Sequence, residues 1–336
     1  MYKMNYLLPV QVGAIDMAKT SKKNIFKESL LTCFKYYKLL YLNTSYFYKR
    51  YFSVDINLNN LSNNLNIIPN KLDNKISYYL TGLIEGDGYI SITKTDRVIL
   101  GITFNIKDKP LGDKLLKYIG KGSILRRKSN SIELRFSAFK SLKIIVNLIN
   151  GKFRTPKIEQ LHKLIDWMNK KHSLNIEKLP LDNSFLLNNN WLSGFIDADG
   201  SFYIRYSLKH IICKFSLEQR MIYPKTQESF SKIITDICQS LNVKVAIRTR
   251  LNYKNSYFII RVENQNSIKI LINYLNNYPL LSSKYLDFLD WNIAFNQIIN
   301  KTHFSNEGKL IIYSAKNRMN NKRTLFNWDH LNINFF

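Results

Sequence analysis

Hydrophobic and polar positions repeat with two periods along the chain, and the same order of periods occurs twice. In the second copy, SFYIRYSL, IICKFSLEQR, VKVAIRTR and SYFIIRV alternate as strands do, whereas QESFSKIITDICQSL and SIKILINYLNN have helical spacing. The first copy has the matching stretches GYISITKT, LGITFNIKD, PLGDKLLKYI, SILRRK, SIELRFS and SLKIIVNLING. Each copy therefore predicts an α+β unit built on an antiparallel sheet.

Breaks in this pattern place the boundaries. The Asn-rich stretch NLNNLSNNLNIIPNKLDN precedes the first copy, and EKLPLDNSFLLNNN separates the copies. Upstream, KESLLTCFKYYKLLYL within residues 22–51 predicts an amphipathic helix. We therefore expect an extension and linker at 1–74, a first domain at 75–182, and a second domain with a C-terminal tail at 183–336.

Alternation also predicts which strand residues face away from the core. In VKVAIRTR the inward set is Val243, Val245 and Ile247. The outward set of the first copy is Tyr89, Ser91, Thr93, Asn105, Lys107, Arg127, Glu133 and Arg135. The outward set of the second copy is Ser201, Tyr203, Arg205, Ser207, Lys214, Ser216, Lys244, Arg248, Arg250 and Arg261. A solvated sheet face is the alternative, but the arginines favour contact with nucleic acid.

Each copy opens with nearly the same string, YLTGLIEGDG and WLSGFIDADG, whose last acids are Asp87 and Asp199, 112 positions apart. Small residues four positions apart precede each acid, so the two predicted helices have stripes along which their backbones can approach closely.

Parallel packing of these helices would bring Asp87 and Asp199 together at two helix C-termini, where like charges and the helix dipoles both oppose ionised carboxylates. A bound divalent cation resolves this, and oxygen ligands favour Mg²⁺ over zinc. Alternatively Gly88 and Gly200 merely end two helices whose acids are solvated. The duplication of the acid spacing favours the metal site.

Composition strengthens the case for a polyanionic partner. The chain has 336 residues, 50 Lys and Arg against 24 Asp and Glu, and a formal net charge of +26. Part of this lysine excess is also explained by A/T-rich codons, and an acidic membrane surface is the second candidate partner. No apolar stretch approaches the roughly 20 residues of a membrane span. The three cysteines give no disulfide framework.

The motifs LTGLIEGDG at 80–88 and LSGFIDADG at 192–200, with the strand pattern around them, closely resemble a known family. They are similar to the two-motif LAGLIDADG homing endonucleases and maturases of fungal mitochondrial group I introns. The resemblance covers roughly residues 75–330. It implies a monomer of two pseudo-symmetric αββαββα halves, with the motif helices at their interface and saddle-shaped sheets over a long asymmetric site on double-stranded DNA.

The resemblance also implies a catalytic site. Asp87 and Asp199 would hold Mg²⁺, with Mn²⁺ able to substitute, assisted by the main-chain carbonyls of Gly86 and Ala198. Glu85 and Asp197 would support them.

The same resemblance implies that Lys157 in RTPKIEQL and Lys284 in LLSSKYLDFLDW orient solvent or stabilise developing charge. Gln219 would join this solvent network. Its counterpart in the first copy, taken from NIKDK, is Asp108, so we expect unequal half-sites.

The implied reaction is a metal-dependent double-strand break in intronless alleles. NYLLPVQVGAIDMA resembles a segment of cytochrome c oxidase subunit 1, which predicts a mitochondrially encoded protein in the matrix, from an intron of that gene. The alternative is a maturase that binds its own intron RNA, alone or as a second function, and a transcription regulator is a third reading. The presence of both acids and both lysines favours the nuclease. The C-terminal KNRMNNKRTLFNWDHL is expected to be a docking tail.

Overall fold

The computed structural model describes residues 71–128, 130–207, 210–250 and 255–332. The chain divides into residues 1–66 and 67–336, and all described residues belong to the second unit. The predicted helix within 22–51, the oxidase-like stretch and most of the Asn-rich linker lie outside the described residues. No helix in the described ranges has the length and apolar character needed to cross a membrane.

The first half begins with the helix of the first motif and ends with two helices. Its elements are α1 (Lys71–Asp87), β1 (Gly88–Ile92), β2 (Val98–Asn105), a 3₁₀ turn (Ile106–Asp108), α2 (Lys109–Ile119), β3 (Ser123–Arg126), β4 (Ser131–Phe136), α3 (Phe139–Ile149) and α4 (Ile158–His172). The strands form one antiparallel sheet in the order β1-β2-β4-β3.

The second half repeats this plan and adds a C-terminal segment. Its elements are α5 (Trp191–Asp199), β5 (Gly200–Tyr206), β6 (Ile211–Arg220), α6 (Ser231–Ser240), β7 (Val245–Arg250), β8 (Asn255–Val262), α7 (Gln265–Asn277), α8 (Lys284–Ile299) and α9 (Asn306–Asn317). The sheet order is β5-β6-β8-β7, the same topology as in the first half. The repeated αββαββα order confirms the predicted α+β architecture.

The two motif helices, α1 and α5, touch backbone to backbone. A Cβ atom added to Gly82 would lie 2.0 Å from the carbonyl oxygen of Trp191, and one added to Gly194 would lie 2.0 Å from that of Tyr79. A Cβ atom at Gly86 would lie 2.1 Å from the Cβ of Ala198. The predicted stripe of small residues is therefore the helix contact, which offsets the cost, roughly 1 kcal/mol, of a mid-helix glycine relative to alanine.

Each half buries its own hydrophobic core behind its sheet, and the C-terminal segment connects the two cores. Ile312 of α9 and Met319 just after it pack into the second core. Leu331, at the end of the described chain, is buried in the first core. His330 beside it donates a hydrogen bond from Nε2 to the carbonyl of Leu281 at 3.1 Å. The tail thus docks on its own protein and joins the halves.

Two predictions from the strand pattern were wrong. β2 stops at Asn105, so Lys107 lies on the 3₁₀ turn and not on the sheet face. Val245 and Ile247 were predicted to be buried but are 44% and 62% exposed. Both lie on β7, which is the edge strand of its sheet and has a neighbouring strand on one side only, so its side chains are less covered than those of a central strand.

Candidate active site and nucleic-acid interface

Asp87 and Asp199 are the last residues of α1 and α5, and each is followed at once by the first strand of its sheet. Burial raises the pKa of Asp199 to about 6, and the charge of Asp87 acts in the same direction. Burial also raises the pKa of Asp87, although this residue stays open to solvent on one side, and the nearby Lys284 and Lys157 oppose the shift. The two acids therefore repel each other at adjacent helix ends, as the paired motifs predicted.

Glu85, two residues before Asp87, is fully buried and binds the segment that leads into α4. We call α4 and α8 the lysine helices, because Lys157 directly precedes α4 and Lys284 is the first residue of α8. Its carboxylate accepts hydrogen bonds from the main-chain N–H of Arg154 at 3.0 and 3.1 Å and of Thr155 at 2.6 Å. It also accepts one from the indole Nε1 of Trp191, on the motif helix of the other half, at 2.5 Å. Glu85 therefore joins three elements: α1, the start of α4, and α5.

Asp197 has the mirror arrangement in the second half. Its carboxylate accepts from the main-chain N–H of Leu281 at 2.7 Å, from the N–H of Ser282 at 3.1 Å, and from the hydroxyl of Ser282 at 2.5 Å. The hydroxyl of Tyr79, on α1, donates to it at 2.7 Å. Tyr79 and Trp191 occupy the same position in the two motifs, so each motif helix binds the buried acid of the other half.

The two lysines sit against the carbonyl ends of the motif helices. Lys157 Nζ donates to the carbonyls of Gly86 at 2.8 Å and Gly88 at 3.1 Å. Lys284 Nζ donates to the carbonyls of Asp197 and Ala198, both at 2.7 Å. Cations at these positions complement the helix dipoles. Burial lowers the pKa of both lysines, and the surrounding acids oppose that shift.

The donor set fits a hard divalent cation better than zinc. No group of three or more His, Cys, Asp or Glu that could hold a metal ion occurs within the described ranges. The carbonyls of Gly86 and Ala198, expected as metal ligands, already accept from the lysines and keep one lone pair each. Mg²⁺ suits such a site, since it is commonly bound by one or two carboxylates, waters and substrate phosphates.

Strand register corrects the predicted pairing of Gln219 with Asp108. Gly88 pairs with Ile102, 14 positions on, whereas Gly200 pairs with Leu217, 17 positions on. The first hairpin is shorter, and Ile102 is therefore equivalent to Leu217. Two residues further on, the structural counterpart of Gln219 is Phe104. The similarity of FNIKDK to FSLEQR had suggested Asp108 instead. Gln219 is half-buried, and its Oε1 accepts from the N–H of Arg220 at 2.9 Å.

On the first sheet, Glu133 shares the outer face but is only 4% exposed, which corrects its prediction as a DNA contact. Tyr89 and Arg135 donate to its carboxylate at 2.8 Å, and Arg127 Nε donates at 2.6 Å. Burial acts to raise the pKa of Glu133, but these hydrogen bonds lower it overall. Glu133 therefore orients two arginines. Thr103, exposed opposite Glu133, was missed although the alternation of its strand placed it there.

The remaining predicted residues of the first half lie at or near this face. Ser91 is on β1 and Asn105 is exposed at the end of β2. Thr93 follows β1, where its Oγ1 accepts from the N–H of Arg97 at 3.1 Å. The face therefore continues into the β1–β2 hairpin.

On the second sheet, exposed Ser201, Tyr203 and Arg205 alternate with buried residues along β5, as predicted. Their neighbours on the same face are, by register, Lys214, Ser216 and Arg261. Arg248 is on β7, Ser207 is in the β5–β6 hairpin, and Lys244 precedes β7. The backbone of Arg250 ends β7, and its side chain lies outside the described residues.

Two acids reduce the positive charge of this face. Glu263 pairs with Lys214 at 2.6 Å, and Glu218 lies 3.6 Å from Arg248. Arg220 is exposed at the end of β6, where it lies opposite Tyr257 of β8 in the strand register. The predicted outward set omitted it, although the alternation of β6 places it on this face.

A family model described as "LAGLIDADG endonuclease" matches residues 80–168 and 192–295. The chain belongs to this family. It is 32% identical over 323 residues to the intron-encoded DNA endonuclease aI3 of Saccharomyces cerevisiae, covering 80% of this chain and 77% of that protein. It is 31% identical to an uncharacterized cox1 intron-2 37.2 kDa protein of Schizosaccharomyces pombe, covering 70% of each.

A shorter stretch of the chain is similar to a protein named as an RNA maturase. The chain is 32% identical over 136 residues to the intron-encoded RNA maturase bI4 of Saccharomyces cerevisiae, covering 40% of this chain and 20% of that protein. Among solved structures, the LAGLIDADG homing endonuclease I-GzeII in complex with its DNA target superposes with a TM-score of 0.57 at 19% identity, covering 74% of this chain and 99% of that one. The fold of the two halves is thus the fold of the family.

Proposed function

We propose that this protein is a site-specific DNA endonuclease that makes a double-strand break in intronless alleles by metal-dependent phosphodiester hydrolysis. The observation that carries the proposal is the pairing of Asp87 and Asp199 at two adjacent helix ends, each beside a buried lysine. Each half, which we take as residues 75–182 and 183–336, supplies one acid and one lysine. One chain therefore provides two half-sites for two strands, and we expect a monomer.

Double-stranded DNA is the proposed partner because each sheet starts directly after one of the acids and presents polar and basic residues on its outer face. The net charge of +26 adds a general attraction for phosphates. The two faces differ in their side chains, which suits a long asymmetric target. Relatives named as intron-encoded endonucleases support this choice.

Mg²⁺ is the proposed cofactor, held by Asp87 and Asp199 with phosphate oxygens, and Mn²⁺ can replace it. Such a cation supplies Lewis-acid polarisation of the phosphate and a more acidic water. The positive charges of Lys157 and Lys284 oppose the effect of burial on the pKa of both carboxylates and so favour their ionised forms. The same ammonium groups stabilise charge that develops on the phosphate, since they are fixed in place by main-chain carbonyls.

The test is cleavage of a duplex that spans the intronless exon junction, with a scrambled duplex as control. The full chain should cut both strands of the junction duplex in Mg²⁺ or Mn²⁺, and EDTA should stop cutting while binding persists. Tight binding without scission in either metal would contradict the proposal.

The maturase remains the second candidate because of the stretch shared with maturase bI4. On that alternative the protein would bind its own intron RNA and accelerate splicing. A splicing assay with precursor RNA tests it independently of DNA cleavage. The likeness to a cox1 intron-2 protein also leads us to propose expression from a mitochondrial intron and action in the matrix.

A further inference from the structure

A carboxylate of the first half binds the start of the lysine helix of the second half. Asp108 lies on the 3₁₀ turn after β2 and is 8% exposed. Its Oδ1 accepts a hydrogen bond from the main-chain N–H of Ser283 at 2.7 Å. Lys284, which binds the carbonyls at the end of α5, is the next residue. Asp108 takes no part in the proposed reaction, although it is a buried acid beside the catalytic lysine.

With Asp108 included, the N-terminus of α8 is held by two carboxylates. Asp197 accepts the main-chain N–H groups of residues 281 and 282, and Asp108 accepts that of residue 283. These N–H groups lie just before the first turn of α8, where no carbonyl of the helix can accept them. Three successive peptide groups before Lys284 are thereby fixed.

The first half lacks this second anchor. Pro156 stands where the second half has Ser283, and proline has no N–H to donate. Counting on from the paired positions Ile102 and Leu217, Tyr223 takes the place of Asp108. The Tyr223 hydroxyl is buried and has no hydrogen-bond partner among the described residues. At the symmetry-related position both members of the bridge are therefore replaced, the acceptor by Tyr223 of the second half and the donor by Pro156 of the first half.

We propose that Asp108 is a positioning residue that holds Lys284 from the opposite half and so supports cleavage of one DNA strand only. Its negative charge adds an attraction for the Lys284 ammonium group. The proposal rests on the proposed endonuclease function. It predicts that loss of the bridge separates the rates of the two strands, which a general loss of stability would not do.

The experiment is single-turnover cleavage of a junction duplex with a different label on each strand. Lys157→Met and Lys284→Met first define which strand depends on each lysine. Asp108→Ala should then slow the Lys284-dependent strand about 10-fold, so that nicked product accumulates. Ser283→Pro should do the same, because it removes the donor and the φ of −58° at this position suits proline.

Two further variants separate the hydrogen bond from charge and from packing. Asp108→Asn keeps an acceptor oxygen for the Ser283 N–H and should stay within about 3-fold of the wild type on both strands. Tyr223→Phe, at the equivalent place in the other half, should leave both strand rates unchanged. Thermal unfolding and metal-free DNA binding identify variants that fail to fold, and Ser283→Pro decides the matter if Asp108→Ala is one of them.

The outcomes distinguish the two proposals. A wild-type protein that cuts neither strand overturns the proposed function itself. A wild type that cuts, with Asp108→Ala and Ser283→Pro slowing both strands equally or neither strand, overturns the role of Asp108 and leaves the endonuclease intact.

Discussion

The two lysine sites share one plan and differ in how firmly they are held. In both halves a buried acid, Glu85 or Asp197, binds the start of the lysine helix and receives one hydrogen bond from the other motif helix. In the second half Asp108 adds a further anchor. The two halves thus share the hydrogen bonds that join each lysine site to both motif helices, and they differ in the bond from Ser283 to Asp108.

The charges around the lysines differ as well. Burial is the main cause that lowers the pKa of each lysine, and for Lys284 it is opposed by Asp197, Asp87, Asp199 and Asp108. For Lys157 it is opposed by Asp199, Glu85 and Asp87, while Lys225 acts with it. The charges that act most strongly on the two lysines therefore differ, since Asp108 and Asp197 act on Lys284, whereas Glu85 and Lys225 act on Lys157.

The largest effect on stability is expected from a substitution that forces the two motif helices apart. Gly82→Ala would place a methyl group 2.0 Å from a backbone carbonyl and should lower the free energy of unfolding by about 3 kcal/mol or more. Chemical denaturation measures this. The matched control is Gly112→Ala in α2, where the added Cβ meets its nearest atom at 3.5 Å; it should stabilise by about 0.5–1 kcal/mol. Equal effects of the two variants would exclude backbone contact as the basis of the interface.

A second effect comes from one cross-half hydrogen bond. Tyr79→Phe removes the hydroxyl that donates to buried Asp197 and should cost about 1–3 kcal/mol of unfolding free energy. The equivalent Trp191→Phe removes the donor to Glu85 and leaves a cavity, so it should cost more. Denaturation of the single and double variants tests whether the bonds are independent. A Tyr79→Phe variant as stable as the wild type would contradict the bridging role.

A smaller effect should appear in the pH dependence of stability. Burial lowers the pKa of His330 below 6.5, outweighing its bond to the Leu281 carbonyl and the charge of Asp197. The folded state therefore binds fewer protons than the unfolded state, so this contribution is present above about pH 6.5 and is lost as pH falls toward the folded pKa. Unfolding free energy measured from pH 8 to 5 should fall less steeply in His330→Gln than in the wild type. The same slope in His330→Gln and the wild type would contradict a pKa of His330 lowered by burial.

The smallest effect concerns the two sheet faces. Arg205 is exposed on the second sheet, and Arg205→Ala should weaken DNA binding several-fold and reduce the salt slope of log K by about 1. Glu133→Gln on the first sheet removes the charge that orients Arg127 and Arg135. Fluorescence anisotropy over a range of salt concentrations measures both. An unchanged affinity and salt slope in Arg205→Ala would contradict a phosphate contact at the second sheet.

Sequence patterns predicted the elements well where periodicity is long and one-sided. The motif helices, the small-residue stripe and the alternation of β5 all follow from residue spacing. The ends of elements were harder: β2 stops before Lys107, and edge strand β7 leaves Ile247 exposed, because neighbours in space decide both.

Sequence motifs were enough to place the acids and lysines of the candidate site, but not to predict the hydrogen bonds and contacts that surround them. Glu133 alternates outward like its neighbours, yet three side chains cover it, and no local pattern reports such cover. Asp108 and Gln219 looked equivalent because their flanking sequences agree, whereas the hairpin lengths that set the register differ. Contacts between halves, such as Asp108 with Ser283, depend on packing between distant segments.

The most direct test of the shared site is conversion of a supercoiled plasmid that carries the intronless junction, compared for the wild type, Asp87→Asn, Asp199→Asn and the surface control Asp113→Asn. Asp113 is an exposed acid on α2 that pairs with Lys109. The wild type and the control should give linear plasmid in Mg²⁺. Each of the other two variants should bind the plasmid and give no linear product. Linear product at the wild-type rate from either variant would contradict a site that needs both acids.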